Sequence, residues 1–177
     1  GGAIGSRAIS LDYNQEPTAG PGNDTNLTLD LGFVAQNVAP VNTVPGGQTM
    51  AVNTTLTFSS ANGNLVSVAD IDAGSSSIRV SLTATNGTVT LAATSGLSSS
   101  AGDGTADAAM TFSGTVTALN AALAGMTFTS TTQFAGSAGL QVVTNDLGAT
   151  GPGGSLSDTD NVRITVTNTA PTGAADS

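Results

Sequence analysis

From Ile78 to Thr85 the chain reads Ile-Arg-Val-Ser-Leu-Thr-Ala-Thr, with Ile78, Val80, Leu82 and Ala84 on one side of a period-two alternation. This pattern constrains the fold more than any other feature, because a slip of one residue would turn every apolar side chain to water. Comparable runs recur, separated by Gly, Asn, Asp and Ser: 48–58, 65–69, 88–92, 108–112, 126–129, 140–144 and 162–166. In the last of these Val162, Ile164 and Val166 take the core side, and Arg163 and Thr165 the solvent side. In 65–69, Leu65 is out of phase with Val66 and Val68, which leaves the register open. Asn86-Gly87 predicts a two-residue hairpin between 78–85 and 88–92. The sequence holds 28 Thr, and branching at Cβ suits a pleated surface.

One stretch breaks the alternation. In 115–124, Val116, Leu119 and Leu123 fall at helical spacing, Thr115 or Thr117 can cap the start, and Gly125 can end the turn. The expected fold is therefore all-β, an antiparallel β-sandwich of about seven or eight strands with one short helical crossover. Phe58, Phe112, Phe128 and Phe134 supply nearly all the large apolar volume and are expected in its core.

Composition excludes whole classes of chemistry. The sequence has no Lys, His, Cys or Trp. Zinc, haem, copper and iron–sulfur sites of the usual kind lack ligands. A Ser-His-Asp triad, a thiol nucleophile and a phosphate-binding lysine lack their reacting groups. Three arginines against twelve acids, net −9, leave no basic face for nucleic acid. No apolar run is long enough to span a membrane. Without disulfides, stability must come from the core or from bound ions.

The chain also repeats itself. Gly20-Pro21-Gly22 recurs as Gly151-Pro152-Gly153, and Asn37-Val38-Ala39-Pro40 as Asn168-Thr169-Ala170-Pro171, both at an offset of 131 residues. At the same offset Leu31, Phe33 and Ala35 fall on Val162, Ile164 and Val166, so the strand phase matches as well. Residues 1–40 thus read as the terminal strand region of a preceding repeat or as a donor or linker segment. Residues 41–168 read as one complete sandwich, and 169–177 as a linker to the next unit.

Segments such as 84–97 (Ala-Thr-Asn-Gly-Thr-Val-Thr-Leu-Ala-Ala-Thr-Ser-Gly-Leu), 101–129 and 144–166, with the terminal Asn-Thr-Ala-Pro, resemble the cadherin-like, immunoglobulin-type repeats of large bacterial surface and biofilm adhesins. The resemblance covers roughly 41–171. It implies an Ig/cadherin-like sandwich, secreted and Ca²⁺-binding, strung in tandem for cell adhesion or matrix building. In such proteins Ca²⁺ between domains stiffens Asn-Asp-Ala-Pro junctions. This chain departs from the pattern at Val38 and Thr169, which replace the junction Asp, and at Val52, which replaces a Glu.

Asp70-Ile71-Asp72-Ala73-Gly74 matches the family's Asp-x-Asp-x-Gly, and Asn145-Asp146 and Asp158-Thr159-Asp160 match its acidic positions. These six residues, Asp70, Asp72, Asn145, Asp146, Asp158 and Asp160, are the candidate Ca²⁺ ligands. Residues i and i+2 of an extended stretch point the same way, so paired carboxylates can share one ion of six to eight oxygen ligands. The same residues equally suit solvated turns. Asp103 and Asp107, around Gly102 and Gly104, read as a turn. Paired carboxylates also serve glycosidases, but with one Tyr and no Trp the sequence lacks a sugar platform, and an enzyme is not expected.

The function expected is a non-catalytic extracellular building block at the bacterial surface, a repeat of an adhesin or fibre whose partners are neighbouring copies of itself. An alternative is a filament subunit joined by donation of segment 1–40 to a neighbour's sheet edge. A second alternative, with surface glycans as partners, is a carbohydrate-binding module of a secreted enzyme.

Overall fold

A computed structural model describes residues 36–148 and 151–168. All of them fall within the unit 34–177 of the chain. The strand expected within 1–40 and the linker 169–177 lie outside the described residues.

The described residues form eleven strands and one helix: β1 (Val41–Thr43), β2 (Gln48–Ala51), β3 (Thr55–Thr57), β4 (Ser67–Ala69), β5 (Ile78–Thr85), β6 (Gly87–Thr90), β7 (Ser98–Ala101), β8 (Ala109–Gly114), α1 (Val116–Leu123), β9 (Thr127–Ser130), β10 (Gly136–Asn145) and β11 (Ser157–Thr167). A six-stranded sheet runs β2-β11-β10-β5-β8-β7, and a three-stranded sheet β3-β9-β6 and the pair β1-β4 cover its inner face. The pairs are antiparallel except β2–β11, which is parallel. The fold is thus an all-β sandwich with one short helix.

Its core is continuous. Ile78, Val80 and Leu82 of β5, Phe112 of β8, Leu140 and Val142 of β10 and Ile164 of β11 meet Phe58, Val66, Val68, Val89 and Phe128 of the opposite layer. Phe134 packs on the edge of this cluster, half-buried. Val66 and Val68 are the buried phase of their segment, which settles the register that Leu65 left open.

The helix begins where Thr115 Oγ1 accepts from the Ala118 N–H, and buries Leu119, Ala122 and Leu123. It lies beside β4, whose second edge it completes. Asn120 donates from Nδ2 to the Val68 carbonyl at 2.8 Å and accepts the Val68 N–H on Oδ1 at 2.9 Å, as a neighbouring strand would.

Three expectations need correction. The run 48–58 is two strands, broken at Asn53 (φ 58), where the chain passes from the six-stranded sheet to the three-stranded one. The strands number eleven rather than seven or eight, because short polar strands such as Ser98–Ala101 have no apolar phase to reveal them. Asn86-Gly87 does not close a hairpin. Asn86 takes a left-handed conformation (φ 56) and sends the chain across the sandwich, so that β5 pairs β10 and β8 while β6 pairs β9. Gly87 is needed for another reason: a Cβ there would stand 2.3 Å from Phe128 Cζ.

Candidate metal centre

The inward row of β10 reads Ala138, Leu140, Val142, Thr144 and then Asp146 just past the strand, so it turns from apolar to polar toward one pole of the sandwich. The antiparallel partner β11 does the reverse, with Asp158 and Asp160 preceding Val162, Ile164 and Val166 on the same side. At this pole the β4–β5 connection brings in Asp70 and Asp72, and the incoming segment brings in Asn37 and Val38.

Asp146 is 2 % exposed. Its Oδ1 accepts the N–H groups of Leu156 at 2.7 Å and Gly148 at 2.9 Å, and its Oδ2 accepts from Asn37 Nδ2 at 2.7 Å. Burial pushes this carboxyl up, but the bonds from Leu156, Gly148 and Asn37 outweigh it and hold it below the ordinary 3.8. Asn37 Nδ2 also donates to the Gly154 carbonyl at 2.7 Å, so one side chain ties the incoming segment to the β10–β11 loop.

Asp72 Oδ2 accepts the Val38 N–H at 2.9 Å. Asp70 Oδ1 accepts the N–H groups of Asp72 at 3.3 Å and Ala73 at 3.2 Å, forming a turn. The Asp-x-Asp pair is therefore bent rather than extended, and it is the turn that sets the two carboxylates side by side. Asp70 Oδ2 is buried with no N–H donor to it, and the Asp70 and Asp72 side chains meet carboxyl to carboxyl. Burial raises the Asp70 carboxyl above 3.8, and the adjacent Asp72 carboxylate raises it further, against two backbone N–H bonds that lower it. The Asp72 charge also bears on Asp146. Two crowded carboxylates, one with a buried oxygen that no N–H reaches, are the surroundings a hard cation relieves. A divalent ion of this kind takes oxygen ligands from carboxylates, amide carbonyls and water, and Asp70, Asp72 and Asp146 fit that chemistry. Among the described residues, no three acidic side chains stand close enough to hold an ion unaided.

The other expected ligands go elsewhere. Asn145 faces the opposite side of β10, where Nδ2 donates to Ser157 Oγ and Oδ1 accepts the Leu147 N–H. Asp158 accepts the Asn42 N–H at 2.7 Å and the Thr159 N–H at 2.8 Å, which fastens β1 to β11. Asp160 lies opposite Val142, farther along the strand from the pole. Asp103 and Asp107 form the turn expected of them: Asp107 Oδ2 accepts from the N–H groups of Asp103 and Gly104.

Sequence reasoning missed Asn37 as a neighbour of these acids, although the motif that recurs at an offset of 131 residues begins with it. It also missed the exposed apolar side chains of the same segments. The large hydrophobic side chains exposed among the described residues, Val38, Val41, Ile71 and Leu147, all stand at this pole, with Ile71 87 % exposed between the two aspartates. Among the described residues no helix is long and apolar enough to cross a membrane. In comparisons with protein-family models and with curated proteins, the sequence matches none.

Proposed function

We propose that the chain is a non-catalytic extracellular building block, a Ca²⁺-stabilised repeat of a bacterial adhesin or fibre that works in cell adhesion and matrix formation beside copies of itself. The observation that carries this reading is the convergence at one pole of Asp70, Asp72 and Asp146 with the incoming Asn37-Val38 segment. A cation held there would tie the sandwich to whatever precedes it. Asp70 and Asp72 would hold the ion, with carbonyls and water completing the six to eight oxygens it prefers and Asp146 fixing the incoming Asn37 beside them. The exposed Val38, Val41, Ile71 and Leu147 support the same reading, because large apolar side chains left in water beside one site suit a contact. The resemblance to cadherin-like repeats points the same way.

Thermal unfolding in Ca²⁺ and in chelator tests the reading. An ion that binds only the folded state stabilises it by about 2.7 kcal/mol at a hundredfold excess over its Kd. Ca²⁺ should raise the Tm of the wild-type chain and leave Asp72→Asn unmoved. A wild-type Tm that is the same in both conditions, with no binding heat, would remove the metal from the proposal.

A further inference from the structure

The outer face of the six-stranded sheet carries no acid on its three central long strands. Arg79, Ser81, Thr83 and Thr85 of β5, and Asn161 and Arg163 of β11, point away from the core. Between them β10 presents Gly139, Gln141 and Val143. In a chain of net charge −9, the two arginines of the described residues therefore share one face from which the carboxylates are absent. The strands flanking Arg163 offer it Thr49, Gly139 and Gln141, and no carboxylate.

Within this face an open groove of about 320 Å³ lies over two adjacent rungs. One rung is Thr85–Gly139–Arg163 and the other is Thr83–Gln141–Asn161. Gly139 forms the gap. Nothing in the fold asks for glycine there: its φ is ordinary, and a Cβ would meet Val162 O at 3.4 Å, an acceptable contact. A glycine inside a central strand weakens it, and its place is where another molecule approaches closely. Here the missing side chain leaves a hollow between a threonine hydroxyl and a guanidinium. Gln141 donates to Asn161 at 3.3 Å and fixes the amides beside it.

We propose that this groove binds a uronic-acid unit of an acidic polysaccharide. Arg163 takes the sugar carboxylate in its planar fork of donors. Thr83, Thr85, Gln141 and Asn161 pair with ring hydroxyls. The groove contains no aromatic ring, so a neutral sugar has no platform and the carboxylate supplies the selectivity. Each unit binds weakly, and a row of units binds through avidity. The inference is independent of the metal centre.

The test is NMR titration of the isotope-labelled chain with oligogalacturonate in chelator, with the fully methyl-esterified oligomer as control. Shifts should be confined to the six groove residues and should need the free carboxylate. Arg163→Gln should weaken binding about tenfold or more, the worth of a charge-assisted hydrogen bond. Gly139→Thr should abolish binding while the Tm stays at or above the wild-type value, since threonine suits an exposed strand. The proposal is overturned if no shifts appear, if the ester binds equally, or if both variants bind as wild type. It is also overturned if the same residues shift on raising protein concentration alone, which would assign the face to a second copy. None of these outcomes bears on Ca²⁺ binding, which chelator excludes.

Discussion

Asp70 and Asp146 stand at the same pole but respond to acid in opposite senses. Asp146 has its carboxyl held below 3.8, so the stability it contributes is present above that pH and is lost as pH falls through its folded value. Asp70 is raised above 3.8 by burial and by Asp72. Its contribution is complete below 3.8 and is lost as pH rises through the raised value. The metal-free protein should therefore gain stability on acidification from neutral toward 3.8, and lose it below. Calorimetric Tm measured against pH in chelator checks this. Asp70→Asn should flatten the branch above 3.8, and Asp146→Asn should remove the acid-side loss and lower the Tm at neutral pH. Bound Ca²⁺ needs the ionised form of Asp70, so on acidification Ca²⁺ affinity should start to fall at a higher pH than an ordinary aspartate would set.

At the scale of elements, β4 shows how a strand of three residues persists at a sheet margin. Only β1 pairs with it, and α1 supplies the missing neighbour through Asn120. Asn120→Ala would leave the N–H and carbonyl of buried Val68 unpaired and should cost about 2 kcal/mol in urea unfolding. Nothing in the local sequence announces this clamp, because Asn120 lies inside a helix and Val68 is 52 residues away. The long elements were legible for the opposite reason. β5 and the C-terminal part of β11 carry strict alternation, and α1 carries helical spacing with a capping threonine, so burial and local propensity agree. Asn86-Gly87 misled because the turn signal is local, whereas the partner of β6 is chosen by Phe128, whose ring closes on the bare Gly87 backbone. At the site, Asp70, Asp72 and Asp146 were legible as acids in a chain that spends few charges. That Asn145 serves a turn instead depends on which face of β10 it occupies, and that Asp158 fastens a strand depends on the Asn42 N–H, which comes from 116 residues away.

At the scale of the whole sandwich, the chain comes in at the acidic pole, where Asn37 meets Asp146, and leaves at the other end of β11 beyond Thr167. Strand β2 runs parallel to β11 toward that far end, joined from Gln48–Ile164 to Ala51–Thr167. When the two ends are pulled apart, β2 is drawn toward the acidic pole and β11 away from it. The force then lies along the strands, and all four rungs of the parallel pair bear it at once instead of parting in turn. Val52→Pro, which removes the N–H that donates to the Thr167 carbonyl at 2.9 Å just past this short ladder, should lower the unfolding force in single-molecule stretching. A sandwich laid out this way is a shear joint, and it resists tension along the chain more strongly than its few short edge strands alone would suggest.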